Sequence, residues 1–135
     1  MRQGRPYDER GYVALMAVLI VGAAATAIGL TLLTTAMDQG RAALVTQQSA
    51  QARDLADACG EEALQQIYTS ASFTGTNSLS QGQGGCNYTV TNTGGNNRVI
   101  DTIGTVGMVV RKIKIYVTIT STSISITSWQ EVADA

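Results

Sequence analysis

From Tyr12 to Met37 the chain reads YVALMAVLIVGAAATAIGLTLLTTAM, without one Asp, Glu, Lys, Arg, His, Asn, Gln or Pro. As a helix rising about 1.5 Å per residue this stretch reaches about 39 Å, more than the roughly 30 Å hydrocarbon core of a bilayer. A core helix of a small soluble protein keeps a polar face toward water. This one offers only Thr hydroxyls and small residues, so it is read as membrane-spanning, with length to spare for tilt. Residues 1–11, before the run, are a short leader. Residues 38–135, after it, are enough for one small domain and no more.

Several function classes are excluded by what the chain lacks. Its formal net charge is −1 and aromatic residues make up 5%, so the basic, aromatic-studded footprint of a nucleic-acid binder is missing. Nucleic acid is not expected as a main partner. His is absent, which removes the commonest general base and the commonest metal ligand together. Asp101 and Glu131 remain as an acid–base pair in principle, but nothing in the sequence brings them together and the thin core offers no pocket to bury them. Asp54, Asp57 and Glu61 fall at helical spacing and read as a solvated face rather than a metal site. Gly82, Gly84 and Gly85 form GQGG with no Lys-Ser/Thr after it, so they are read as loop glycines rather than a phosphate loop. Asn87-Tyr88-Thr89 matches a glycosylation triplet inside an expected strand and is given no role. The chain is not read as an enzyme, and no cofactor or metal is expected.

After Met37 the composition shifts to Ala, Gln, Leu and Arg, with Leu44, Ala52, Leu55, Cys59, Ala63 and Ile67 on one stripe. No proline interrupts, so the spacing predicts one helix from about Tyr12 to about Tyr68, its first half in lipid and its second half laid on a folded domain. Gly40 and Gly60 are expected weak points, each costing about 1 kcal/mol against Ala. Residues 69–85, TSASFTGTNSLSQGQGG, read as a long surface loop. From Cys86 a period of two takes over: Cys86, Tyr88 and Val90, then residues 98–106, then Ile113, Ile115, Val117 and Ile119, and finally Ile124 and Ile126 toward Trp129. This predicts an antiparallel meander over 86–132 with one dry face. Such a sheet does not stand alone, and the helix stripe is the apolar surface left to cover it. The expected fold class is α+β, a long N-terminal helix, half of it transmembrane, packed on a small antiparallel meander.

The leader, MRQGRPYDERG, carries Arg2, Arg5 and Arg10 against Asp8 and Glu9, and this positive charge before the span favours keeping the N-terminus in the cytoplasm. A secretory signal has a shorter apolar region and a small-residue cleavage site after it; here Gly11 precedes the run. A short charged leader ending in Gly, an aromatic residue directly after it, and an apolar helix continuing into a polar one resemble the class III signal of type IV pilins and pseudopilins. The resemblance implies a pilin-like fold, cleavage by a prepilin peptidase between Gly11 and Tyr12, methylation of Tyr12 as the new N-terminus, and polymerisation by the pilus assembly machinery with copies of itself and other pilins. The precursor would sit in membrane lipid with its C-terminal domain outside, and the assembled filament would be extracellular. One position departs from the family pattern: the fifth residue after the cut is usually Glu and here is Met16. The alternatives are a monomeric, uncleaved signal-anchored binding module and a minor tip pseudopilin.

Within the spanning run Gly22, Ala25, Thr26 and Gly29 place small residues three or four apart, which lets helices approach closely; the other reading is only that Gly and Ala are common in spanning helices. Cys59 and Cys86 are the only cysteines, both on the side expected to be exported and each on the apolar face of its element. They are expected to form a disulfide, against the alternative of two buried free thiols.

Overall fold

The computed structural model describes residues 9–133, and their side chains from residue 11 onward. Helix α1 runs Glu9–Thr69 without interruption and is followed by five strands, β1 Gly75–Gln81, β2 Gly84–Gly94, β3 Asn97–Val106, β4 Val109–Ile119 and β5 Ile124–Val132. All neighbouring strands pair antiparallel, and their spatial order is their chain order. The chain falls into two units, residues 1–42 and residues 43–135. This is the expected α+β architecture. The leader residues 1–8, with Arg2, Arg5, Pro6 and Asp8, lie outside the described residues.

In the second unit, period-two alternation turns one sheet face toward the helix. Cys86, Tyr88 and Val90 of β2, Ile100 and Thr102 of β3, and Ile113, Ile115, Val117 and Ile119 of β4 are buried there. Opposite them lies the α1 stripe Ala52, Ala56, Cys59, Ala63 and Ile67, also buried. Small residues on the helix allow a very close approach. At Gly104, near the C-terminal end of β3, an added Cβ would fall on the Ala52 carbonyl oxygen and 2.7 Å from the Ala56 nitrogen, so helix backbone and strand backbone meet with no space for a side chain. Gly60 plays the matching part on the helix. Its Cβ would stand 2.7 Å from Ile115 Cδ1 and 3.3 Å from the Trp129 ring. The sequence marks Gly60 as a weak point of the helix, but the structure uses it as a contact point, and the lost helix propensity is offset by packing.

Three of the four hairpins are built the same way. Gln81 pairs with Gly84, Gly94 with Asn97, and Val106 with Val109, so each turn has two residues. The first is Gly82, Gly95 or Gly107, at φ of 59°, 57° and 60°. Glycine is at home in this left-handed region, and the tight turn matches the strand twist.

Strand β1 corrects the expected loop over 69–85. GTNSLSQ has no apolar alternation, and every residue of it is exposed. The backbone ladder to β2, in unbroken register from Gly75↔Val90 to Gln81↔Gly84, holds it at the sheet edge. Accordingly Gly84 and Gly85 are strand residues, and only Gly82 is a turn glycine. Two further stripe positions differ from expectation. Leu44 is exposed because the sheet does not extend that far along the helix, and Ile126 is half-exposed on the edge strand β5. A register shift opposite Tyr116 and Val117 puts Ile126 against Val117 and Trp129 against Ile115, so both stand on the helix-facing side although they lie an odd number of positions apart.

Candidate functional site

The described part of the first unit is helix throughout, and from Gly11 to Ala42 every side chain is exposed. This stretch is apolar enough and long enough to cross a membrane. Its hydroxyl groups fit such a setting. Thr26 donates to the Ala23 carbonyl at 2.9 Å, Thr31 to Ile28 at 2.8 Å, and Thr34 and Thr35 to Thr31 at 2.9 and 2.8 Å. Each hydroxyl is therefore satisfied inside the helix, which removes the penalty of carrying it into hydrocarbon. Gly22, Ala25, Thr26 and Gly29 lie on this open surface, and a Cβ at Gly22 or Gly29 would meet nothing. Gly11 and Tyr12 are exposed and already helical.

In the second unit Cys59 of α1 and Cys86 of β2 form a disulfide, with a Cα–Cα distance of 6.1 Å across 27 residues of sequence. Both are buried. The bond ties helix to sheet at the level where Tyr88 and Ala63 complete the core. Two further latches join the same layers. Trp129 Nε1 donates to Asp57 Oδ1 at 2.9 Å while its ring covers Gly60. Arg98, 7% exposed, points inward from β3 and donates to the carbonyls of Gly95 at 3.0 Å, Asn97 at 3.1 Å and Ala71 at 3.1 Å. No basic residue lies in the last turn of α1. Arg98 supplies a cation just past that helix end from across the fold, where the helix dipole favours one.

Local sequence patterns do not single out these latches. A signal for Arg98 exists, because it shares the parity of Ile100 and Thr102, and an inward-facing charge on an alternating strand needs partners. Parity places Gly104 on the same inner face, but nothing local says that a helix backbone lies against it. The pairing of Trp129 with Asp57 rests on the register shift in β5, which has no sequence signature here.

The candidate acid–base residues stand apart. Asp101 pairs in register with Lys114 on the outer sheet face, Oδ1 to Nζ 3.1 Å, and the hydrogen bond and charge of Asp101 hold the Lys114 ammonium above its ordinary value of 10.5. Glu131 sits opposite Ile113 on the inner side, where Arg111 reaches Oε1 at 3.1 Å and Arg53 approaches Oε2 at 3.9 Å. Arg111 also donates through Nε to Ser49 Oγ at 3.0 Å. Asp54 and Glu61 are exposed on α1, and Asp57 is engaged by Trp129. Among the described residues no cluster of three or more His, Cys, Asp or Glu is placed to hold a metal ion. What the arrangement offers is surface: a bare apolar helix in one unit and a braced helix–sheet layer in the other. No family model matches the chain, and no curated protein or solved structure matches it either.

Proposed function

We propose that this chain is a structural subunit of a type IV pilus-like filament, inserted as a membrane precursor and polymerised through its N-terminal helix. The observation that carries the reading is the apolar run after Gly11: it is continuous in one helix with the segment that the sheet covers, and none of its own side chains is buried. A chain that exposes this much apolar helix needs lipid before assembly and other helices after it. Gly22, Ala25, Thr26 and Gly29 supply the small surface for that packing. In this reading the leader stays in the cytoplasm, a prepilin peptidase cuts between Gly11 and Tyr12, Tyr12 receives a methyl group, and the disulfide-braced sheet lies outside.

Met16 favours a second reading, a minor subunit at the filament tip. No acidic side chain lies between Tyr12 and Met37. The chain therefore offers no carboxylate to neutralise a neighbour's N-terminal amine in an apolar filament core, where an unpaired charge is costly. Purified filaments separate the two readings by stoichiometry, since a shaft subunit is their main component and a tip subunit a trace.

The test of the shared reading is the mass of the N-terminus in protein taken from its native membrane. A start at Tyr12 with one added methyl supports it. An intact start at Met1, unchanged in Gly11→Leu protein, replaces it with an uncleaved signal-anchored module.

A further inference from the structure

We propose that a depression on the outer face of the sheet, beside Tyr116, binds one neutral pyranose ring. Two register shifts interrupt the strand pairing, one between Asn92 and Gly94 of β2 and one beside Tyr116 and Val117 of β4. Each leaves one residue without a partner in the next strand, Thr93 of β2 in the first and Thr127 of β5 in the second. A bulge of this kind re-aims side chains and is favoured beside functional sites. Strands β2 and β5 are not neighbours, yet Thr93 and Thr127 line the same open depression of about 290 Å³. Between them, on β4, Tyr116 alternates with the buried Ile115 and Val117, so its ring stands on the side away from the helix, 43% exposed. The site belongs to the second unit alone and stands whether or not the chain is assembled into a filament.

The chemistry of the lining selects the ligand. Asn97 Oδ1 accepts from the Thr118 hydroxyl at 3.0 Å, which leaves the amide nitrogen, with its two donors, for another partner. Thr93, Thr127 and Ser128 add hydroxyls, each able to donate and to accept. Arg98 is the one charged residue in the lining, and it is buried, with its guanidinium engaged by the carbonyls of Gly95, Asn97 and Ala71. Further along the outer face Lys114 is held by Asp101 at 3.1 Å, so these two charges offset each other. A phosphate or carboxylate therefore meets no free cation in the lining, and an ammonium meets no carboxylate. An aliphatic ligand would displace water from the hydroxyls and the amide without replacing its hydrogen bonds. A neutral sugar ring satisfies every condition: its hydroxyls replace that water, its C–H face lies on the Tyr116 ring, and it carries no charge. The volume lies at the lower end of small-molecule sites and suits a single ring.

Titration of the full-length, isotope-labelled protein, in a detergent without a sugar headgroup, tests the site by nuclear magnetic resonance. The probes are glucose, galactose, mannose and N-acetylglucosamine. At least one is expected to bind with a Kd in the millimolar range, shifting the resonances of Asn97, Tyr116 and Thr127 and leaving those of Ser78, on the exposed edge strand β1, in place. Tyr116→Ala is expected to weaken binding about tenfold by removing the ring, while Tyr116→Phe keeps the ring and stays within about threefold of wild type. Ser78→Ala leaves the affinity unchanged. Retention of the Cys59–Cys86 bond in each variant shows that the domain has folded. Cellotetraose distinguishes the source of the ring: binding tighter than glucose assigns the site to a glycan chain, and equal binding to a free sugar. The proposal is overturned if none of the four sugars shifts these resonances, if glycerol at the same concentration shifts them equally, or if Tyr116→Ala binds as wild type does.

Discussion

Residues 12–37 and strand β4 are both rich in aliphatic side chains, yet every residue of the first is exposed while Ile113, Ile115, Val117 and Ile119 of the second are buried between polar neighbours. The difference lies in pattern. An unbroken apolar helix has no polar side to give to water, so no partner inside its own small chain can satisfy it. Alternation at period two assigns one face to the helix and leaves Lys112, Lys114 and Thr118 for the other. Apolar content alone does not decide whether a segment belongs to the fold or to the surroundings.

The contrast is broken most strongly at Gly104. Gly104→Ala places a methyl group on the Ala52 carbonyl, a backbone contact that cannot swing aside. We expect a loss of about 3 kcal/mol or more, read as a fall in the unfolding midpoint followed by the fluorescence of Trp129, the only tryptophan. Gly22→Ala, where nothing lies within 4 Å, leaves that midpoint in place.

A paired truncation sharpens the same point. Ile115→Ala removes a fully buried side chain and is expected to cost about 3 kcal/mol. Ile20→Ala, at an exposed helix position, should stay within about 0.5 kcal/mol in detergent-solubilised protein. Equal effects at the two sites would mean that the apolar run is part of the folded core.

Breaking the disulfide ranks close behind. With 27 residues between the cysteines, the chain-entropy model gives about 3 kcal/mol, and a domain with so few large buried side chains has little else to spare. Double replacement of Cys59 and Cys86 by Ala should lower the denaturant midpoint by the corresponding amount. Alkylation of both thiols in unreduced, denatured wild-type protein would show that the bond is absent.

The smallest effect concerns the outer face. Lys114 is raised by its hydrogen bond to Asp101 and by that residue's charge. A lysine raised in the folded state contributes stability that is fully present below its ordinary value of 10.5 and is lost as pH climbs through the raised one. Both side chains are solvent-accessible, so the loss is slight. Its expected sign is a steeper alkaline decline in wild type than in Asp101→Asn, measured by unfolding at successive pH values.

Much of this fold was legible in the sequence because two periods are written plainly: the apolar run with its polar continuation gives the helix, and Cys86–Val90 with Ile113–Ile119 give the inner sheet face. The glycine turns are legible in part, with GG before NN at 94–97 the clearest. Strand β1 is illegible for a physical reason, since it has no buried side chain and is held by main-chain hydrogen bonds that any uncharged sequence can make. The close approach of Gly104 to Ala52 and the latch from Trp129 to Asp57 depend on residues 52 and 72 positions apart in the chain, beyond any local pattern. Of the candidate surface, the apolar run is read directly from composition. The depression beside Tyr116 is not, because it depends on two register shifts that no local pattern marks.

A sheet whose spatial order repeats its chain order has a consequence for how the domain forms. Three of its four connections close across two residues, so each strand finds its neighbour with little loss of loop entropy, and the hairpins can zip in sequence on a microsecond scale. Bringing the meander back against α1 is the later, long-range step. Cys59 and Cys86 stand on the two sides of that step, so the bond between them forms only where helix and sheet have met.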